Sequence, residues 1–257
     1  MKIIFWNTAR GKNRYSERFE YLMENVFALS CRNPEVILLC EALKGTQKVM
    51  RNSELYGYKV VKPSKLLGGY ADENVLRYIV LCRNDPDYWA SLISTENKRP
   101  AILIHAGKYN LLGIHAPSVT KSYVPQSRAL KKSFRNILNH HQPQVIFGDF
   151  NVDAFNGRLS WKFITELEWE YNQQFNSSPS KSTIKLKKVY DNKFYTRPSS
   201  NKTLDWALVP QYMSSKVSVK VVRSSSTYDS EDSDEDFVPE IISTVKSDHE
   251  AIEITIS

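Results

Sequence analysis

The tetrapeptide Gly148-Asp149-Phe150-Asn151 directly follows the apolar run 145–147. The β-branched and aromatic residues of that run predict a buried strand. Such a strand presents a carboxylate and an amide at its carboxyl end, where open sheets commonly carry reactive groups. Gly148 permits close approach to the backbone there. The same residues also suit an ordinary Asx-rich turn, so the interpretation depends on whether other strands end alike.

Other predicted strands have polar residues of the same kind at their ends. These are Asn7 after 2–6, Glu41 after 36–40, His115 after 111–114, and Asp248 and His249 before 251–256. A further acid, Asp205, lies within the apolar run 204–209, where a charge is costly unless it is paired. Taken singly, each suits a turn, a helix start, a core imidazole or an ion pair with a lysine or arginine. Taken together, they predict one polar site.

The residue types in this set favour metal-assisted hydrolysis. Carboxylate and amide oxygens are the ligands that Mg²⁺ and Mn²⁺ prefer, and Zn²⁺ does not. Histidines 115 and 249 can transfer protons or stabilise phosphate charge, and Asp205 can orient one of them. Because no Ser or Cys stands in a nucleophile-elbow context, water is the simplest attacking group. Metal, water and imidazole together indicate phosphoester hydrolysis.

The pattern of elements predicts an α/β or α+β fold in a single domain spanning residues 1–257. Helices are predicted at 15–29, 126–140 and 160–168. Strands are predicted at 2–6, 36–40, 59–61, 78–82, 101–105, 111–114, 145–147, 204–209, 217–222 and 251–256, with a turn at 107–110. Residues 224–240 are rich in Ser, Asp and Glu and predict a mobile acidic insertion between the last two strands.

The net charge of +7 conceals a division of the chain. Seven acidic residues fall within 229–240, which leaves 35 basic residues against 21 acidic ones elsewhere, a formal charge of +14. A basic body suits nucleic acid or an anionic membrane as a partner, and it also suits simple solubility. The acidic insertion could compete with a polyanionic substrate and so inhibit the protein partially.

The chain carries no pattern of a secreted or membrane protein. Met1–Trp6 turns polar at Asn7, too soon for a secretory apolar region. Cys31, Cys40 and Cys82 lack metal-site spacing, and the last two lie in apolar runs, which predicts buried thiols in a reducing compartment. We therefore expect a cytoplasmic protein without stable membrane association.

The ordered series of short motifs resembles the endonuclease/exonuclease/phosphatase superfamily, which is DNase I-like, and the series spans nearly the whole chain. The resemblance rests on Trp6-Asn7, Cys40-Glu41, Gly113-Ile114-His115, Gly148-Asp149-Phe150-Asn151, Leu204-Asp205-Trp206 and Ser247-Asp248-His249. It implies a four-layer α/β sandwich, in which two mixed sheets pack face to face with helices outside. The site would lie at one edge, between the sheets.

The resemblance also implies roles for individual residues. Glu41 would be the main metal ligand, with Asn7 and Asp248 close by. Asp149 would position or deprotonate the attacking water, and Asn151 would hold a phosphate oxygen or that water. His249, oriented by Asp205, and His115 would flank the scissile phosphate.

Substrate-binding residues are predicted from two basic stretches. Arg99 stands where related nucleases often have a Glu that orients the histidine at position 115, so Arg99 suits a phosphate contact instead. Aromatic residues lie beside basic ones at 193–197, which favours nucleic acid and nominates Tyr195, Thr196 and Arg197. A solvated basic loop is the alternative interpretation of this stretch.

The sequence thus predicts a Mg²⁺- or Mn²⁺-dependent phosphodiesterase that cleaves nucleic acid, DNA in preference to RNA. One alternative is a phosphatase or a lipid or inositol phosphodiesterase of the same fold. The Pro-Ala-Trp-x-Asp-Arg stretch usual in inositol phosphatases is missing from this chain, and no lipidation signal is present. A second alternative is a non-catalytic binding protein that kept the fold.

Overall fold

The computed structural model describes residues 1–8, 15–43, 57–61, 75–83, 87–93, 100–116, 141–151, 153–155, 186–222 and 249–257. Within these ranges the chain forms one α-helix, α1 (Tyr15–Cys31), and twelve strands. The strands are β1 (Lys2–Asn7), β2 (Val36–Leu43), β3 (Tyr58–Val61), β4 (Val75–Arg83), β5 (Trp89–Ile93), β6 (Ala101–Ala106), β7 (Tyr109–His115), β8 (Val145–Asp149), β9 (Leu186–Val189), β10 (Asp205–Pro210), β11 (Val217–Val222) and β12 (Ala251–Ile256). Two 3-10 helices, Pro198–Ser200 and Gln211–Met213, flank β10.

The strands form two mixed six-stranded sheets. The first has the order β11-β12-β1-β2-β4-β3, and the second has the order β5-β6-β7-β8-β10-β9. The central pair of each sheet is parallel, β1 with β2 and β7 with β8, and all other neighbours are antiparallel. The two sheets therefore share one plan.

This plan gathers polar strand ends at one edge of the molecule. The two strands of a parallel pair have their carboxyl ends at the same edge of a sheet. Strands β10 and β12 run antiparallel to β8 and β1, so their amino ends reach that same edge, with Asp205 opposite Asp149 and Ile252 opposite Phe5. The carboxyl ends of β1, β2, β7 and β8 thus meet the amino ends of β10 and β12 there.

The inner faces of the two sheets form the main hydrophobic core. Ile3 and Phe5 of the first sheet lie in one buried cluster with Ile102, Ile104 and Phe147 of the second. The rings of Phe5 and Phe147 meet edge to face, with centroids 6.1 Å apart. Because side chains alternate along a strand, Asn7 and Asp149 share the inner face with these residues.

Helix α1 covers the outer face of the first sheet. Leu22, Val26 and Leu29 of the helix pack against Ile4 and Ile37 of the sheet, and all of them are buried. This spacing of three and four residues is the apolar stripe of an amphipathic helix. In the described part of the chain, no helix combines the length and apolarity needed to cross a bilayer.

The sandwich and most predicted strands are confirmed, and the exceptions lie at edges and turns. The 107–110 turn was predicted two residues too long, because Tyr109 and Asn110 already pair in β7 and only Gly107-Lys108 turns. Strands β5 and β9 were not predicted, and both are edge strands. Cys40 and Cys82 are buried free thiols as expected, and burial raises the pKa of Cys82 to about 12.

The predicted helices 126–140 and 160–168 and the acidic insertion 224–240 lie outside the described residues.

Candidate active site

Asp149 lies at the centre of the polar edge and is almost fully buried. Its Oδ2 accepts a 2.9 Å hydrogen bond from the Asn7 side-chain amide, and its Oδ1 accepts one of 2.7 Å from the Asn151 backbone N–H. Nε2 of His115 lies 3.7 Å from Oδ2. Two neutral donors and an imidazole therefore surround this carboxylate.

The backbone at the end of β8 brings Asp149 and Asn151 into place. Gly148 has φ of +137°, and a Cβ there would lie 2.1 Å from the Ile114 carbonyl oxygen of β7, so only glycine fits. Asn151 has φ of 52°, in the left-handed region, and its side-chain amide donates a 2.7 Å hydrogen bond to the Ala116 carbonyl. The turn thus lies close against β7 at Gly148 and is bonded at Asn151 to the residue that follows β7.

The side chain of Glu41 lies on the inner face of the sheet because the alternation of side chains between the two faces of β2 reverses at that residue. Cys40 packs in the inner core, yet Ala42, two residues further on, packs on the outer face. Glu41 between them has φ of 55°, while the pairing register with β4 is unchanged on either side. The kink directs the Glu41 carboxylate to within 3.6 Å of Nδ1 of His115.

His249 and Asp205 form the tightest ionisable pair of the site. Nδ1 of His249 lies 2.7 Å from Oδ2 of Asp205, which accepts the hydrogen bond. The carbonyl of His249 accepts a 3.1 Å hydrogen bond from the indole N–H of Trp6. Both Asp205 and His249 are buried, so the imidazole is held at Nδ1 by Asp205 while Trp6 anchors the backbone of the same residue.

Thr196 fixes the backbone on both sides of this pair. Its hydroxyl oxygen accepts hydrogen bonds from the backbone N–H groups of Leu204 (2.9 Å) and Asp205 (3.1 Å). Its carbonyl accepts a 2.7 Å hydrogen bond from the N–H of Glu250, the residue after His249. Thr196 is completely buried, and these contacts lie behind the site, while its contact with substrate stays a prediction.

The environment of Asp149 changes its acidity. Burial, followed by the nearby Asp205 carboxylate, raises the pKa of Asp149 to about 7, although His249 and the hydrogen bonds from Asn151 and Asn7 oppose this change. A carboxylate of this pKa accepts a proton near neutral pH more readily than an ordinary one.

Two groups of side chains could hold a cation. The first comprises Asn7 and Glu41, which lie beside Asp149 and His115 respectively and offer oxygen atoms, the donor chemistry of Mg²⁺ and Mn²⁺. Ligand atoms of Asp149, Asp205 and His249 also lie within 4.8 Å of one another. In this second group Nδ1 of His249 is already bonded to Asp205, so we favour the first group for a hard cation.

The remaining predicted residues fall in different places. Tyr195 is 43 % exposed, and Arg197 pairs with Lys202 in an isolated bridge near the site. Asp248 and Arg99 lie outside the described residues. Sequence reasoning missed the contribution of Trp6 to His249 and that of Thr8, whose hydroxyl donates to the carbonyls of Cys40 and Glu41. Only the position of Thr8 directly after Asn7 could have indicated it.

Two mixed sheets packed face to face, with an acidic and histidine-lined edge, define a DNase I-like α/β sandwich. The chain belongs to the Endonuclease/Exonuclease/phosphatase family, whose sequence profile matches residues 4–249. Members of this family are hydrolases that act on phosphoester bonds and generally depend on a divalent metal ion. No curated protein sequence matches the chain.

Several solved structures have a similar fold. The 3′-5′ exonuclease NExo from Neisseria meningitidis aligns with a TM-score of 0.61 and 13% identity over 100% of this chain and 99% of its own. The endonuclease domain of TRAS1, a telomere-specific non-LTR retrotransposon, aligns with a TM-score of 0.58 and 13% identity over 99% of this chain and 97% of its own. A structure of NExo from Neisseria, described as a 3′ phosphatase bound to product DNA hairpin, aligns with a TM-score of 0.58 and 14% identity. The alignment covers 100% of this chain and 99% of that one.

Proposed function

We propose that this chain is a nuclease that hydrolyses phosphodiester bonds of nucleic acid, DNA in preference to RNA, with the aid of Mg²⁺ or Mn²⁺. The observation that carries the proposal is the pairing of site residues across the two sheets. Asn7 contacts Asp149, Glu41 lies beside His115, and His249 bonds to Asp205. Acid, base and candidate metal ligands are therefore held together at one edge.

The donor set of this edge fits a hard divalent cation. We assign Glu41 and Asn7 as ligands, with Asp248 as a further ligand from the segment before His249. The side-chain amide N–H of Asn7 donates to Asp149, which directs its oxygen away from that carboxylate. A bound cation would polarise a phosphoryl oxygen and neutralise charge that develops there.

Asp149 and Asn151 act on the attacking water in this proposal. The raised pKa of Asp149 suits a general base that accepts the proton of that water near neutral pH. Oδ1 of Asp205, next to it, is buried and has no hydrogen-bond partner within the described residues, which is consistent with room for a water or substrate atom nearby. Asn151 helps to position the water or a phosphate oxygen.

His249 and His115 act on the phosphate. Because Nδ1 of His249 bonds to Asp205, Nε2 is the nitrogen that can donate a proton or a hydrogen bond to a phosphoryl oxygen. His115 lies between two carboxylates, with Nδ1 3.6 Å from Glu41 and Nε2 3.7 Å from Asp149. Both imidazoles can therefore stabilise negative charge on the reacting phosphate.

Nucleic acid is favoured as substrate by charge and by the named neighbours. Outside residues 229–240 the chain carries a formal charge of +14, which suits a polyanion. The neighbours include an exonuclease, an endonuclease domain and a structure that holds a DNA hairpin.

The test is cleavage of supercoiled plasmid, labelled single strands, duplex DNA and RNA with Mg²⁺, with Mn²⁺ and with EDTA. We expect metal-dependent cleavage that His249→Ala strongly reduces. The matched control is His105→Ala, since His105 stacks on Trp89 at the opposite end of its sheet. Turnover of a phosphomonoester or phospholipid without cleavage of any nucleic acid would favour the phosphatase or lipid phosphodiesterase alternative. Absence of all metal-dependent hydrolysis would favour a binding protein.

A further inference from the structure

Three aromatic rings form a cluster at the surface beside the candidate site. The rings of Phe155 and Tyr190 meet edge to face with centroids 4.8 Å apart, and those of Phe155 and Tyr195 do so at 5.9 Å. Phe155 is 37 % exposed and Tyr195 43 % exposed. We call these three residues the aromatic platform. Exposed rings in contact with one another suit a partner that presents a flat apolar face.

The platform is held in place by backbone contacts. Oδ1 of Asp153 accepts hydrogen bonds from the N–H groups of Phe155 and Thr203, each 3.2 Å. The Lys188 ammonium donates a 3.0 Å hydrogen bond to the carbonyl of Ala154. A surface that is rigid before binding loses little conformational entropy when a ligand arrives.

The same segments lead directly into the candidate site. Tyr195 precedes Thr196, whose hydroxyl and carbonyl hold the backbone at Asp205 and beside His249. Phe155 follows Asn151 by four residues. The platform is therefore joined through Thr196 to the backbone beside His249, where the proposed function places the phosphate.

The charges around the platform complement a nucleic acid. Residues 186–202 contain five basic residues and one acidic residue, Asp191. Both carboxylate oxygens of Asp191 accept backbone hydrogen bonds, from Lys193 and from Val221. The segment that carries two of the rings therefore has a net positive charge, which complements a phosphate backbone.

We infer that the aromatic platform binds an unpaired base next to the cleaved phosphate, so that the protein prefers single-stranded or frayed nucleic acid to continuous duplex. The inference rests on the proposed function for the position of that phosphate. A paired and stacked base has no exposed face for these rings, whereas an unpaired base does. Stacking on an aromatic side chain stabilises a bound base and tolerates any sequence, because every base has an aromatic face.

The test measures binding without turnover. Fluorescence anisotropy in EDTA gives the Kd for a labelled single-stranded oligonucleotide and for a blunt duplex hairpin. For the double variant Phe155→Ala/Tyr195→Ala we expect the single-strand Kd to rise by about 10- to 100-fold and the hairpin Kd to change by less than about twofold, since backbone charge dominates there. The control is Tyr212→Ala, which removes a 64 % exposed ring from the 3-10 helix at the opposite end of β10.

Conservative variants separate stacking from apolar contact and from misfolding. Tyr195→Phe keeps the ring and is expected to keep wild-type affinity, whereas Tyr195→Leu keeps apolar bulk and is expected to lose it. An unchanged single-strand Kd in the double variant, or an equal loss for hairpin and single strand, would overturn the inference. Equal affinity of Tyr195→Leu and Tyr195→Phe would assign the platform to apolar contact with another kind of partner.

These results are independent of the hydrolysis assay. Platform-dependent binding of single strands without cleavage supports the binding site and contradicts the nuclease assignment. Cleavage of duplex without platform-dependent binding leaves the nuclease assignment intact and rejects the platform.

Discussion

Nδ1 of His249 lies 2.7 Å from Oδ2 of Asp205, although the two residues are 44 positions apart and belong to segments of different sheets. We expect Asp205→Asn to lower kcat by about 100-fold or more, because the amide removes the charge that stabilises a protonated imidazole. The measurement is a double-mutant cycle with His249→Ala. The double variant should be no slower than His249→Ala alone. Additive losses would show that the two residues act independently.

Glu41→Gln tests the metal assignment with little change in volume. Replacing an anionic oxygen ligand by a neutral amide should lower activity by about 100-fold at limiting Mg²⁺, while the thermal midpoint in EDTA stays close to that of wild type. The matched control is Glu24→Gln, on the exposed face of α1. Wild-type turnover by Glu41→Gln at limiting Mg²⁺ would remove Glu41 from the metal site.

Asp149 makes the stability of the metal-free protein depend on pH. Its pKa is 3.8 in its ordinary state and about 7 in the folded chain, so the folded state binds the proton more tightly. The resulting stabilisation is fully present below about pH 4 and is lost as pH rises through 7. Over this range the difference is on the order of a few kcal/mol in the free energy of unfolding.

Asp149→Asn lacks this titration. Urea unfolding in EDTA at pH 5 and pH 8 gives the free energy of unfolding of both proteins. The value for Asp149→Asn relative to that for wild type should be higher at pH 8 than at pH 5. If the free energies of unfolding of the variant and of wild type changed equally with pH, Asp149 would not be protonated more readily in the folded state.

Thr196→Val should impair catalysis from behind the site. Valine keeps the shape of threonine but leaves the buried N–H groups of Leu204 and Asp205 without their acceptor, at about 1–3 kcal/mol each. We expect kcat to fall while KM changes little, and Thr196→Ser to restore most of the loss. A rise in KM with unchanged kcat would instead return Thr196 to the substrate surface.

The polar edge could be predicted from sequence because each strand and the polar residue at its end lie within one short stretch of the chain. An apolar run followed by Asn7, His115 or Asp149 can be recognised without a structure, and parallel pairing then brings the ends of these strands together. Two features of the candidate site could not be recognised from the sequence. The kink at Glu41 depends on a single backbone angle, and the role of Thr196 depends on contacts with residues 8 to 54 positions away.

The two missed strands share a physical cause. Strand β9 contains Lys187 and Lys188, which resemble a basic loop, and lysines are common on edge strands because they discourage pairing with another chain. Strand β5 has only one fully buried residue, Ala90, so its apolar alternation is weak. Edge strands are half-solvated, and their sequences reflect that.

The contact of Phe5 with Phe147 has a consequence beyond stability. Asn7 with Asp149, Glu41 with His115, and His249 with Asp205 each join one sheet to the other, and Phe5 and Phe147 lie two residues before Asn7 and Asp149 on the same inner face. The two rings therefore act as a spacer that sets the gap all three pairs must bridge. A smaller or larger residue there is expected to change the distance between the two sheets, and with it these three contacts, without altering any residue of the candidate site. The packing of the core therefore sets the geometry of that site.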